Sequence, residues 1–251
     1  MKLIDLANPS RFLALAERVL PWLTTATVIV FAFGFGQVLS APDDYQQGAT
    51  VKIMFIHVPA AWLATFGWAL MTAAALGTLV WRHPLADVAA KAAAPIGASF
   101  ALICLVTGWL WGTPMWGLRN MRDVTVVSLS DARIASVLVL FLMYLGVIAL
   151  WRTIEDPARA GRAAAILILV GAINLPIIKF SVDWWNTLHQ PASILRLGGP
   201  TIHPTILLPL LIMLAAFTLL FLTLLIAAMR NEILRRRVRT MLILQAEAAG
   251  R

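Results

Sequence analysis

The stretch that decides the fold runs from Ile202 to Met229 and reads IHPTILLPLLIMLAAFTLLFLTLLIAAM. It contains no Asp, Glu, Lys or Arg, and as a helix it is long enough to cross the ~30 Å hydrocarbon layer of a bilayer. The whole chain has this character: of its 251 residues 61% are hydrophobic and 13% charged, whereas about a quarter are charged in soluble domains. This composition excludes a soluble enzyme, a disordered chain and a disulfide-stapled secreted domain. It indicates a polytopic membrane protein.

Hydropathy predicts an all-α bundle of six membrane-spanning helices, in a single membrane domain over residues 1–251. The spans are predicted at about 21–40, 57–81, 93–111, 134–151, 163–178 and 202–229. The fifth is the shortest, and Asn174 and Pro176 predict a kink within it.

The basic residues predict the orientation of the bundle. With the N-terminus in the cytoplasm, the inner segments hold 14 of the 20 Lys and Arg residues, and the outer segments hold six. Since cytoplasmic loops carry the excess of Lys and Arg, we expect both termini inside and the loops at about 41–56, 112–133 and 179–201 outside. The basic residues are not gathered on one face, so no nucleic-acid surface is predicted.

Tryptophan is unusually abundant, with ten Trp against two Tyr. Five of them fall at the predicted outer edge: Trp109, Trp111, Trp116, Trp184 and Trp185. An aromatic belt explains single Trp residues at helix ends. These five are instead grouped in two short stretches, which favours a flat apolar shelf that stacks a large planar ligand. The belt stays open as the alternative.

Three of the four histidines lie on the same outer side: His57, His189 and His203. Each alone is more often a hydrogen-bonded interfacial residue. Two imidazoles beside a Trp shelf, however, are suited to clamp a metal from opposite sides, and haem iron accepts axial His within a planar apolar disc. Haem propionates need cations, for which Arg is well suited. The candidates are Arg133, Arg119, Arg122 and Arg196, with loop solvation as the alternative.

Other chemistries have no sequence support. The chain has no Walker motif, no G-x-S-x-G, no H-E-x-x-H and one Cys. Carboxylates are nearly absent from the predicted spans, so a proton relay is not indicated. We therefore expect a binding protein and not an enzyme.

Four stretches resemble the haem exporter protein C (CcmC) family. They are KIMFIHVPAAW at 52–62, WGTPMWG at 111–117, DAR at 131–133 and DWWNTLHQ at 183–190. The resemblance covers about residues 11–230. It implies a multi-pass protein of the bacterial inner membrane that holds haem b transiently and non-covalently at its periplasmic face. It further implies delivery to a periplasmic haem chaperone in cytochrome c maturation, beside an ABC transporter and a small single-span subunit.

The resemblance also suggests a role for particular residues. His57 and His189 match the two axial-ligand histidines of the family. Covering the macrocycle is expected of Trp111, Trp116, Trp184 and Trp185, and contact with a propionate is expected of Arg133. Asp131 either orients Arg133 or faces water.

One part of the sequence departs from the family signature. Residues 118–130 contain no Trp and add Arg119, Arg122 and Asp123. Within them, Val124–Leu129 is rich in β-branched residues and predicts a short strand.

Two other functions remain open from the sequence. A cytochrome b-like electron carrier would place its histidine pairs within facing helices, whereas these histidines lie at span ends. A permease that moves haem or another amphiphile would have broken helices or polar groups near the midplane. Asn174 and Pro176 are the only sequence indication of that arrangement.

Overall fold

The computed structural model describes residues 8–117, 121–185, 187–190, 193–194 and 196–249, and these form helices and no strand. The helices are α1 (Pro9–Ser40), α2 (Met54–Leu79), α3 (Ala86–Met115), α4 (Met121–Ser130), α5 (Ala132–Thr153), α6 (Pro157–Gly171), α7 (Asn174–Trp184) and α8 (Pro204–Ala249). A 3₁₀ turn, Ala49–Ile53, leads into α2.

Six helical segments are long and apolar enough to cross a membrane: α1, α2 with its 3₁₀ turn, α3, α5, α6 together with α7, and α8. The predicted all-α, six-span fold is therefore confirmed. The strand predicted at Val124–Leu129 is wrong, because this sequence lies within α4. The strand preference of β-branched residues depends on context, and here the helix continues into a backbone hydrogen bond from Asp131 N–H to the Val127 carbonyl (2.8 Å).

The alternating helices give the bundle two ends. The histidine end holds the C-termini of α1, α3 and α7 and the N-termini of α2, α5 and α8. The arginine end is the opposite one, where α8 carries Arg230, Arg235, Arg236, Arg237 and Arg239.

The centre of the bundle is formed by α2, α3 and α5. Gly67 on α2 and Gly97 on α3 leave the space that the ring of Tyr144 fills, and the Tyr144 hydroxyl donates a 2.7 Å hydrogen bond to a carbonyl of α2. Next to it, the fully buried Trp68 donates its indole N–H to a carbonyl of α6. Small residues thus allow close helix packing around two large aromatic side chains.

The fifth span is broken, as its sequence suggested. α6 ends at Gly171, and α7 begins at Asn174. Pro176 lies in the first turn of α7, where its missing N–H leaves no helical hydrogen bond unmade. Asn174 is buried, and its side-chain amide donates to the Ser136 carbonyl on α5 (2.8 Å). The break is therefore satisfied inside the protein, as a membrane interior requires.

The arginine end is held by ion pairs between α3 and α8. Glu232 is 6% exposed and accepts hydrogen bonds from Lys91 at 2.7 Å and Arg236 at 2.9 Å. Arg236 also pairs with Asp87 at 2.8 Å. This network fixes the first turns of α3 to α8, which continues to Ala249, well beyond the end predicted for the sixth span.

Candidate functional site

His57 is held against α3 through one nitrogen of its ring. Its Nδ1 lies 3.1 Å from the Cys104 carbonyl oxygen and 3.1 Å from the Thr107 hydroxyl oxygen. A carbonyl only accepts hydrogen bonds, and the Thr107 hydroxyl already donates to the Ile103 carbonyl at 2.6 Å. Nδ1 therefore carries the proton and donates it to both oxygens, which leaves the lone pair on Nε2.

Two glycines on one face of α3 make room for the rings of the site. The His57 ring lies against Gly108, where an added Cβ would come within 3.0 Å of Cε1. The Trp116 ring lies over Gly112, where an added Cβ would overlap it. Since the two glycines are four residues apart, they share a face of the helix about 6 Å apart. α3 thus holds an imidazole and an indole in adjacent positions.

Trp111 connects this face to the chain between α1 and α2. Its ring contacts the His57 ring edge-on, with 5.6 Å between ring centroids. The Trp111 indole N–H donates to the side-chain oxygen of Gln47 at 2.9 Å. The Trp111 indole is thereby held between Gln47 and His57.

His189 approaches from the irregular segment after α7. Its ring contacts Trp116 with 5.3 Å between centroids. Its Nδ1 lies 3.3 Å from a carboxylate oxygen of Asp131, but the two are not aligned as a hydrogen bond, and Nδ1 has no other polar partner among the described residues. The carboxylate therefore faces this nitrogen at close range without a hydrogen bond.

Asp131 joins the start of α5 to the His189 segment. One carboxylate oxygen accepts hydrogen bonds from the Arg133 and Ile134 backbone N–H groups, at 3.0 and 3.1 Å, and so caps the helix. The other accepts from the Leu188 N–H at 2.9 Å. With 4% exposure, Asp131 does not face water, and its hydrogen bonds go to backbone groups rather than to the Arg133 guanidinium.

The environment of His189 favours its neutral form. Burial lowers the pKa of His189 below its ordinary value, and the nearby Arg133 charge lowers it further. The Asp131 carboxylate acts in the opposite direction but does not cancel the effect of burial. His189 is therefore uncharged at neutral pH, which is the form of imidazole that ligates a metal.

Arg133 is directed across the histidine end toward α7. Its Nε donates to the Ser181 hydroxyl at 3.2 Å, and one of its terminal nitrogens donates to the Lys179 carbonyl at 3.5 Å. The guanidinium also lies within electrostatic range of Asp183. Arg133 therefore links α5 to α7 next to the Trp pair.

Trp184 and Trp185 form an aromatic group of their own. Trp184 stacks on Phe180 with 5.4 Å between centroids and meets Trp185 edge-on at 5.7 Å. Both indoles are about half exposed. No ring contact between described residues joins this pair to Trp111 or Trp116. The Trp residues of the predicted shelf thus form two separate aromatic groups, one at the C-terminal end of α3 and one at the C-terminal end of α7.

The remaining candidates lie apart from this cluster. His203 is exposed, and its Nδ1 lies 2.8 Å from the Thr205 hydroxyl at the start of α8, so it behaves as a helix-end residue. Arg122 and Arg196 are exposed. Arg119 lies outside the described residues.

Several residues that contact the rings of the site were not predicted from the sequence. Thr107, Gly108 and Gln47 belong to no motif quoted from the sequence, yet they contact His57 or Trp111. The spacing of Gly108 and Gly112, four residues apart beside Trp111, was the available signal, because small residues at this spacing let neighbours approach a helix.

The site residues fall within one family model, described as heme exporter protein C, which matches residues 2–244. The chain belongs to the heme exporter protein C family. A relative of that name from Bradyrhizobium diazoefficiens is 68% identical over 98% of this chain and 90% of its own length. The Escherichia coli heme exporter protein C is 45% identical over 92% of this chain and 90% of its own length. That of Paracoccus denitrificans is 40% identical, over 96% and 98% respectively.

Membership confirms the resemblance drawn from the four sequence stretches. With the six apolar helices, it establishes this heme exporter protein C family member as a multi-pass membrane protein.

Proposed function

We propose that this protein binds haem at its histidine end, on the periplasmic side of a bacterial inner membrane, and delivers it to a periplasmic haem chaperone for cytochrome c maturation. Haem is its cargo, held transiently and without a covalent bond. No catalytic role is assigned to the chain. The ABC transporter and the small single-span subunit implied by the family are the proposed membrane partners.

One observation carries this proposal: two imidazoles stand at the histidine end, where the His57 Nδ1 bonds to α3 and the His189 Nδ1 lies 3.3 Å from the Asp131 carboxylate. Among the described residues no hydrogen bond reaches Nε2 of His57 or of His189. Imidazoles held through Nδ1 are the usual arrangement for metal ligation through Nε2. The donor set therefore fits haem iron with two axial histidines.

The surroundings of the histidines suit a porphyrin. Trp111 and Trp116 each contact one of the two imidazoles edge-on, so they flank the space in which a macrocycle would lie. The exposed Trp184 and Trp185 extend the apolar surface toward solvent. Arg133 supplies a cation for a propionate, after exchange of its weak 3.5 Å contact with a carbonyl.

The two alternative functions have less support. A cytochrome b-like carrier would need histidines within facing helices, whereas both histidines here lie at one end of the bundle. A permease would use the broken fifth span, but the buried amide of Asn174 is occupied by the Ser136 carbonyl. Neither alternative accounts for the paired imidazoles beside Trp111 and Trp116.

The experiment that tests the proposal is the absorption spectrum and haem content of the detergent-purified protein. We expect a low-spin spectrum that becomes high-spin or disappears in His57→Ala and in His189→Ala. His203→Ala and His83→Ala serve as matched controls, because both of these histidines are exposed and lie apart from the cluster. Absence of haem binding in the parent protein, or an unchanged spectrum in both ligand variants, would contradict the proposal.

A further inference from the structure

The two histidines of the site are held by partners of different chemistry. His57 stands on the helix α2, and its Nδ1–H is shared between a carbonyl and a hydroxyl, both neutral. His189 stands on an irregular segment, and its Nδ1 faces a carboxylate. The two imidazoles therefore differ in the charge of the group that faces Nδ1.

Three residues of α3 fix the position of His57. The Cys104 carbonyl and the Thr107 hydroxyl set the tautomer and the plane of the ring, and Gly108 lets the ring lie against the helix. The Thr107 oxygen can accept from the imidazole because its own proton is engaged at the Ile103 carbonyl. Thr107 is therefore built to receive Nδ1–H and to hold Nε2 away from α3.

The position of His189 depends on Asp131. The same carboxylate binds the Leu188 N–H, one residue before His189, and the backbone at the start of α5. It is 3% exposed on its side chain, so water screens its charge little. A carboxylate charge 3.3 Å from Nδ1 favours a proton on that nitrogen, and it makes the imidazole a more basic ligand through Nε2 than a neutral carbonyl does.

We propose that Thr107 and Asp131 are positioning residues that make the two histidines unequal ligands, His57 the geometrically fixed one and His189 the stronger electron donor. The inference rests on the proposed haem function. Neither residue touches the iron in this scheme, since each acts through the imidazole that it holds.

Asp131→Asn tests the role of the carboxylate charge. Asparagine retains an oxygen for the cap but removes the negative charge and the acceptor of the Leu188 N–H, so the reduction potential of bound haem should rise, and haem affinity should fall about 10- to 100-fold. Asp156→Asn is the matched control, because Asp156 caps α6 through its 2.6 Å contact with the Arg159 N–H at the opposite end. It should change neither quantity.

Thr107→Val tests the hydroxyl with little change in side-chain shape. Haem should dissociate about tenfold faster while the reduction potential stays close to that of the parent, and Thr107→Ser should restore the parent rate. Thr113→Val is the control, since the Thr113 hydroxyl bonds only to a carbonyl of its own helix among the described residues. In the haem-free protein, ¹⁵N resonances of His57 should show a protonated Nδ1.

The outcomes separate the two proposals. A parent protein without low-spin haem would overturn the proposed function and this inference with it. A parent that binds haem, with Asp131→Asn and Thr107→Val behaving like their controls, would overturn only the inference. A protonated Nε2 on His57 in the haem-free protein would also overturn it.

Discussion

At the scale of single residues, the site depends on how closely an imidazole approaches a helix. His57 contacts α3 at a position without a side chain, so its ring reaches both the Cys104 carbonyl and the Thr107 hydroxyl. An alanine at Gly108 would place a methyl group 3.0 Å from the ring. This distance is shorter than a normal carbon–carbon contact.

Gly108→Ala should weaken haem binding without unfolding the protein. The methyl group pushes the imidazole away from its hydrogen-bond acceptors, so we expect about a tenfold loss of affinity, or ~1.4 kcal/mol. Alanine favours the helix by up to ~1 kcal/mol, which offsets part of the local strain. Haem titration and thermal unfolding measure the two effects.

Gly36→Ala is the matched control for that substitution. Gly36 also lies within a helix, but an added Cβ there would meet nothing within 4 Å. It should leave haem affinity unchanged. Equal affinity of the Gly108→Ala and Gly36→Ala variants would show that the close approach of His57 is not needed for binding.

The histidine and tryptophan residues of the site could be predicted from the sequence, but the residues that position them could not. His57, His189 and the Trp residues stand out because their types are rare and grouped. Thr107 could not be recognised, because a threonine in an apolar helix most often bonds only to its own helix, as Thr78 and Thr218 do among the described residues. Only the packing of α2 on α3 shows that Thr107 also faces His57.

At the scale of helices, the fifth span shows how a break is tolerated among apolar neighbours. Asn174 supplies a donor to the Ser136 carbonyl of α5, and the two halves of the span together still have the length to cross a membrane. Asn174 and Pro176 predicted this irregularity correctly, because both weaken a continuous helix. The strand expected at Val124–Leu129 failed because local β-propensity is a weak guide beside the packing of α4 on α5.

Asn174→Ala should destabilise the contact between α5 and α7. It removes the hydrogen bond from α7 to the Ser136 carbonyl, and interhelical hydrogen bonds in membrane proteins contribute about 0.6 kcal/mol and at most about 1.7. We expect a lower midpoint of thermal unfolding in detergent. Ser99→Ala, which removes an exposed hydroxyl bonded to its own helix, should have a smaller effect, and the reverse order would contradict the assigned role.

At the scale of the whole molecule, the order of the helices gathers the candidate residues at one end and the ion-paired arginines at the other. The distribution of basic residues predicts that the histidine end faces the periplasm. The fold alone does not decide which end faces the periplasm, since six spans can cross a membrane in either direction.

Labelling of single cysteines measures the orientation. In a Cys104→Ser background, Gln190→Cys lies at the histidine end and His83→Cys at the arginine end, and both positions are exposed. A membrane-impermeant maleimide added to spheroplasts should label position 190, and position 83 only after the membrane is opened. Labelling in the opposite order would place the histidines on the cytoplasmic side.

The ion pair between Lys91 and Glu232 anchors one end of α3, while the opposite end of the same helix supports His57. Pro95 lies one turn after Lys91 and interrupts the hydrogen-bond ladder there, which weakens the helix against bending at this position. Gly108 lies 13 residues further on, about 20 Å along the axis. A bend of about 5° at Pro95 therefore moves Gly108 by about 2 Å. In mechanical terms α3 is a lever with its fulcrum near the arginine end, and under the proposed function a small rotation there would shift the support on which the His57 ring rests.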